Sequence, residues 1–169
     1  MKNTHIITGT EFENFLLSIK SNFHKTSVKL DKKGTDILCN SLKIQVKWDK
    51  TIEKSGNIWF EQFEKSVGKE YQEWRPTPSD ADLYIFGTNK KGGIKWYYFP
   101  LKTLLKACRG MDMSDINVNG KGITSRGFLL KLYTVITPLV EREYPRKNDI
   151  KIIKPTKGFF TDNELSKFL

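Results

Sequence analysis

The chain has 169 residues, and its 29 Lys and Arg against 19 Asp and Glu give a formal net charge of +10 and a pI near 9.5. One domain over residues 1–169 is expected, because a chain of this size buries roughly 68–70% of its unfolded surface and needs no staple; Cys39 and Cys108 stand far apart, with no CxxC pair and no His cluster, which argues against a zinc centre or a disulfide framework. No apolar run approaches the ~20 residues of a spanning helix and no signal-peptide pattern opens the sequence, so the expected partner is a polyanion, nucleic acid above all, rather than a membrane, and the expected compartment is a reducing cytoplasm.

In chain order, Thr10-Glu11-Phe12-Glu13 has the form of a capping box with Thr10 as N-cap. Phe12, Phe15, Leu16, Ile19 and Phe23 follow at helical spacing and predict one core-facing stripe. His5 and His24 fit no ligand or triad pattern. A first strand is expected over 27–30, then a polar turn carrying Lys32 and Lys33. The stretch 34–49, GTDILCNSLKIQVKWD, divides into runs 35–39 and 42–48 around Asn40-Ser41, a pair suited to a two-residue hairpin loop. Alternation sends Leu42, Ile44, Val46 and Trp48 to one face and Lys43, Gln45 and Lys47 to the other.

If Cys39 pairs with Leu42, counting outward sets Asp36 opposite Gln45, with Cβ atoms about 4.5–5.5 Å apart and Lys47 roughly 7–8 Å away on the diagonal. A carboxylate, an amide and an ammonium then share one face. Such a trio suits phosphodiester hydrolysis: Mg²⁺ takes one or two carboxylates plus neutral oxygens and waters, and a lysine can position the attacking water. The same pattern also fits an exposed, solvated hairpin face, and lysine richness also serves solubility.

Beyond the hairpin, 50–56 reads as a connection and 57–63 as a strand. The stretch 65–79 has the breakers Gly68, Pro76 and Pro78, with Tyr71 and Trp74 among Lys69 and Arg75, a mixture able to stack on bases or grip a backbone. Leu83-Tyr84-Ile85-Phe86 predicts a buried strand, 95–99 its returning partner, and Pro100 a helix start with Leu101, Leu104, Leu105 and Cys108 as the buried side. The stretch 110–127 reads as loop, with a basic turn at 121–127. Residues 128–136 fit strand or helix, Thr137-Pro138 marks a helix start with 141–143 in its body, and Thr161 opens a short terminal helix.

Asp36, an eight-residue spacer and then Gln45-Val46-Lys47 resembles the D…(D/E)xK signature of the PD-(D/E)XK nuclease superfamily, the restriction-endonuclease-like and Holliday-junction-resolvase-like enzymes. The resemblance spans roughly 10–104, and Ser79-Asp80-Ala81-Asp82 before the strand is similar to phage-type members. It implies an α/β fold, a restriction-endonuclease-like mixed β-sheet core flanked by helices, in which the strand at 57–63 extends the central sheet. It implies a metal-dependent endonuclease hydrolysing DNA for a phage or mobile element. Asp36, Gln45 and Lys47 would be catalytic, and Asp36, Gln45 and Glu13 or Glu11 would hold Mg²⁺ or Mn²⁺, with no organic cofactor. Lys29, Lys32, Lys33, Arg75, Ser79 and Arg126 would contact nucleic acid, and a homodimer would suit the two strands of a duplex. The chain departs from the pattern at Gln45, as in the QxK variant of Mrr-type enzymes, and at Thr35, where proline often stands. The missing charge leaves an alternative: an inactive nuclease-like fold that binds nucleic acid or a partner protein.

Overall fold

A computed structural model describes residues 8–27, 34–65, 74–76, 80–90, 93–117, 123–132 and 139–143. Helix α1 (Gly9–Ile19) is opened by Thr8, not Thr10. The Glu11 N–H donates to Thr8 Oγ1 at 3.2 Å and the Thr8 N–H donates to Glu11 Oε2 at 2.9 Å, a complete capping box. Two T-x-x-E boxes overlap here, and the earlier one wins, which releases Glu13 from capping duty. Phe12 and Leu16 are fully buried. The helix stops at Ile19, so Phe23 packs from strand β1 (Phe23–Lys25) rather than from the helical stripe. The first strand thus lies ahead of the expected 27–30, of which 28–30 fall outside the described residues.

Strands β2 (Ile37–Cys39) and β3 (Leu42–Trp48) form the expected hairpin, with Cys39 opposite Leu42. Asn40 adopts φ +54°, the left-handed turn conformation that asparagine tolerates. Helix α2 (Ile52–Ser55) leads to β4 (Asn57–Glu64), which pairs with β5 (Arg75–Pro76). Next come β6 (Leu83–Lys90), β7 (Gly93–Pro100), helix α3 (Leu101–Ala107), β8 (Ser114–Asn117), β9 (Ile123–Lys131) and β10 (Leu139–Glu143).

The chain is therefore a mixed α/β protein built mostly from strands. One sheet runs β1-β2-β3-β6-β7-β10, with β3 and β6 parallel and the other pairs antiparallel. A second, antiparallel sheet runs β5-β4-β9-β8. On one face of the first sheet, α1 packs Phe12 and Leu16 against Ile44, Val46, Ile85, Trp96 and Tyr98. On the other, Tyr84, Phe86, Tyr97 and Phe99 meet Ile58, Phe60 and Leu130 of the second sheet and Leu104 of α3. β6 and β7 are covered on both sides, which is why their apolar runs are continuous rather than alternating.

Further expectations differ from the structure. The strand at 57–64 does not extend the central sheet but founds the second one. The 110–127 stretch, read as loop for its polar and glycine content, supplies β8 and the start of β9. Residues 139–143, expected within a helix, pair along β7 instead, since satisfying that strand's edge outweighs local propensity.

Gly127 on β9 is required by close approach: a Cβ there would stand 2.3 Å from the Phe60 carbonyl oxygen, which belongs to a paired strand and cannot swing aside. Gly127→Ala is therefore expected to destabilise the fold by about 1–3 kcal/mol, read from the urea midpoint. Among the described residues, no helix is long and apolar enough to cross a membrane.

Candidate active site at the open end of the hairpin

Strand pairing in the hairpin ends at Ile37–Ile44, one step before Asp36. The Asp36 N–H still donates to the Ile44 carbonyl at 2.8 Å, but its carboxylate turns inward, and Oδ2 accepts the Val46 N–H at 2.6 Å. The side chain stands where a backbone carbonyl would continue the ladder. Thr26, just beyond β1, braces the other side by donating its hydroxyl to the Thr35 carbonyl at 2.8 Å and its N–H to the Asp36 carbonyl at 3.3 Å. Asp36 is thus held at a fixed position on the sheet edge by its own backbone and one carboxylate oxygen.

The first turns of α1 face this position. Gly9, Thr10, Glu13, Lys25, Thr26, Asp36 and Val46 line an open cavity of about 400 Å³. Glu13 is largely desolvated, its side chain 18% exposed, and Lys25 Nζ lies 3.9 Å from its Oε1 while remaining 69% exposed. Two carboxylates from distant parts of the chain, with a lysine at the rim, form the site.

Gln45 and Lys47 do not line that cavity. Alternation along β3 places them on the face opposite Val46, in register with Tyr84 and Phe86 of β6, which belong to the other core. Gln45 is 5% exposed, and its Oε1 is buried without a hydrogen-bond partner; Lys47 is half-buried. The common face expected for Asp36, Gln45 and Lys47 is not formed around this cavity, because Asp36 leaves the ladder before it can oppose Gln45. Glu11 is also away from it, engaged by the Thr8 N–H and hydroxyl. Thr8→Ala should cost about 1 kcal/mol of stability by urea titration, whereas Glu11→Gln, which preserves the cap, should leave divalent-cation uptake unchanged in calorimetry.

Of the expected metal ligands, Asp36 and Glu13 are brought together. Among the described residues there is no group of three or more His, Cys, Asp or Glu side chains able to hold a metal ion. Two carboxylates suit Mg²⁺, which retains several waters, and do not suit a closed zinc site. Sequence reasoning missed Lys25 and Thr26 by starting the first strand too late. The short run Phe23-His24-Lys25, separated from the helix end by three residues, was the available signal.

Lys29, Lys32, Lys33 and Ser79 lie outside the described residues. Arg75 sits on β5 opposite Glu64. Arg126 forks onto Asp115, with Nε 2.6 Å from Oδ1 and Nη2 2.9 Å from Oδ2. This hydrogen-bonded pairing raises the Arg126 pKa and holds the Asp115 carboxyl below its ordinary value.

Several other polar side chains among the described residues are engaged away from the cavity. Lys43 Nζ donates to Asp80 at 2.8 Å, which raises its pKa. Lys95, 5% exposed, pairs with Glu53 at 2.8 Å, and the Tyr97 hydroxyl donates to the same oxygen at 2.6 Å. Ser125 is buried, accepting from Trp59 Nε1 and donating to Glu61. Burial pushes the Cys108 thiol up to about 11, so it is no nucleophile at neutral pH. No family model, curated protein or solved structure matches this chain.

Proposed function

We propose that the protein is a divalent-cation-dependent nuclease that hydrolyses phosphodiester bonds in DNA, with a restriction-endonuclease-like core. The observation that carries this reading is the pairing of Asp36 and Glu13 on one open cavity with Lys25 at its rim. The chain's charge of +10 supports a polyanionic substrate, and two carboxylates on one open cavity, a donor set that Mg²⁺ takes alongside waters and phosphate oxygens, support the reaction class. Asp36 and Glu13 would hold Mg²⁺ or Mn²⁺, which when bound supplies charge neutralisation at a phosphate and a more acidic water.

The chain's own groups then divide the work. Val46 N–H fixes one oxygen of the Asp36 carboxylate and so its orientation. Glu13, largely desolvated, presents its charge into the cavity from a capped helix. Lys25 offers an ammonium to an approaching phosphate and takes the place expected of Lys47. The Thr10 and Thr26 hydroxyls are further polar groups on the same wall.

A second reading, a nuclease-like fold that binds nucleic acid without cutting, is favoured by Gln45 and Lys47 lying off the cavity. Incubating labelled duplex and single-stranded DNA with the protein in Mg²⁺, in Mn²⁺ and in EDTA separates the two. Cleavage that requires the cation supports the nuclease; binding without cleavage under every condition supports the second reading.

A further inference from the structure

The basic patch that the proposed reaction leaves unused lies on the second sheet, away from the carboxylate cavity. The register across that sheet aligns Asp115 of β8 with Arg126 of β9, Arg126 with Phe63 of β4, and Phe63 with Pro76 of β5. A bulge between Glu61 and Phe63 sets Phe63 on that row. Because Glu64 pairs with Arg75, Lys65 and Trp74 are the next residues outward from the β4–β5 ladder. Both cations converge on the same indole: Lys65 Nζ lies 4.4 Å from the Trp74 ring centroid, and Arg126 Cζ also lies 4.4 Å from it. Arg126 is locked in place by its fork onto Asp115, and Lys65 and Trp74 are half-buried.

We infer that Trp74, Lys65 and Arg126 form a stacking subsite for single-stranded nucleic acid, with a base on the indole and the adjoining phosphates on the two cations. The inference rests on nucleic acid being the ligand class, as in the function proposed above, and adds that the strand is unpaired here. The chemistry follows from the parts. Arg126 and Lys65 both act on the Asp115 carboxylate, so two cations beside the indole face one carboxylate there, which leaves positive charge beside an aromatic surface. An orienting fork fixes the guanidinium before any ligand arrives, so little freedom is lost on binding. The Lys65 ammonium, on a flexible stem, can swing from the ring to a phosphate as a base replaces it. Bases inside a duplex are stacked on each other and offer the indole no free surface, whereas every base of a single strand does.

The test uses the full chain in EDTA, so that binding is read without cleavage. Fluorescence anisotropy would compare a labelled oligothymidylate of about twelve nucleotides, the matching oligouridylate and a duplex of the same length. Trp74→Ala is expected to weaken both single strands about tenfold, with Trp74→Phe within about threefold of the parent and duplex affinity unchanged. Intrinsic tryptophan emission provides a second measurement should Trp74→Ala fail to fold: oligothymidylate should quench the parent, and the Trp74→Phe protein should lose that quenching while still binding. Equal weakening of single strand and duplex, or identical quenching in parent and Trp74→Phe, overturns the subsite. Either result with cation-dependent cleavage intact sinks the subsite alone. Stacking on Trp74 in a protein that cuts nothing supports the subsite and sinks only the nuclease.

Discussion

Asp36→Asn is expected to lower Mg²⁺-dependent cleavage of DNA by at least about a hundredfold while leaving the protein folded. The asparagine keeps an oxygen where Oδ2 now accepts the Val46 N–H at 2.6 Å, so the open edge of β3 stays satisfied. What disappears is the negative charge facing the cavity shared with Glu13. The cost in stability should be only about 1 kcal/mol, the difference between a charge-assisted and a neutral hydrogen bond. Initial cleavage rates and a urea titration on the same preparation separate the two effects. Asp36→Ala is the contrasting change: it also orphans the Val46 N–H and should destabilise by about 1–3 kcal/mol. Full activity in Asp36→Asn would reduce Asp36 to a replacement for the missing backbone carbonyl.

Phe12→Ala is expected to cost about 3–5 kcal/mol, a large part of the 5–15 kcal/mol that holds a typical domain together. The ring is completely buried, 5.2 Å from the Trp48 ring and 6.4 Å from that of Phe15 by centroids. Its far edge rests on Gly87 of β6, where even a Cβ would stand 2.3 Å from Phe12 Cζ, so that side of the space has no side chain of its own to fill it. Phe12 also precedes Glu13 on α1. Loosening the helix should therefore weaken the carboxylate pair as well as the fold. A reduced urea midpoint with an unchanged slope would be the signature of a lost core contact.

The hairpin was readable from sequence because three signals agree there: strict alternation over 42–48, an Asn-Ser turn, and a second apolar run of matching phase. The buried pair β6 and β7 was readable from a different signal, two continuous apolar runs covered on both faces. Elsewhere a local signal was outweighed. Thr10-Glu13 and Thr8-Glu11 are equally good capping boxes in sequence, and the structure uses the second. The 139–143 stretch opens like a helix yet pairs with β7, because an edge carbonyl and N–H row needs a partner whatever the local preference. β8 is exposed and polar, so it carries no alternation to find.

The candidate site was half legible. The sequence offers Asp36 and Glu13 as candidate ligands, and the fold brings them to one cavity across a 23-residue separation that sequence spacing could not join. Register counted outward from the hairpin loop sets Gln45 and Lys47 beside Asp36 only while both strands stay paired. Asp36 breaks that condition itself, by turning its carboxylate onto the Val46 N–H.

Calorimetric titration of Mn²⁺ or Mg²⁺ into the wild-type protein, Asp36→Asn and Glu13→Gln tests the carboxylate pair most directly. The predicted result is saturable uptake by the wild type that is lost in each variant. Uptake that survives both substitutions, or none in the wild type, would contradict a cation held between α1 and the end of the hairpin.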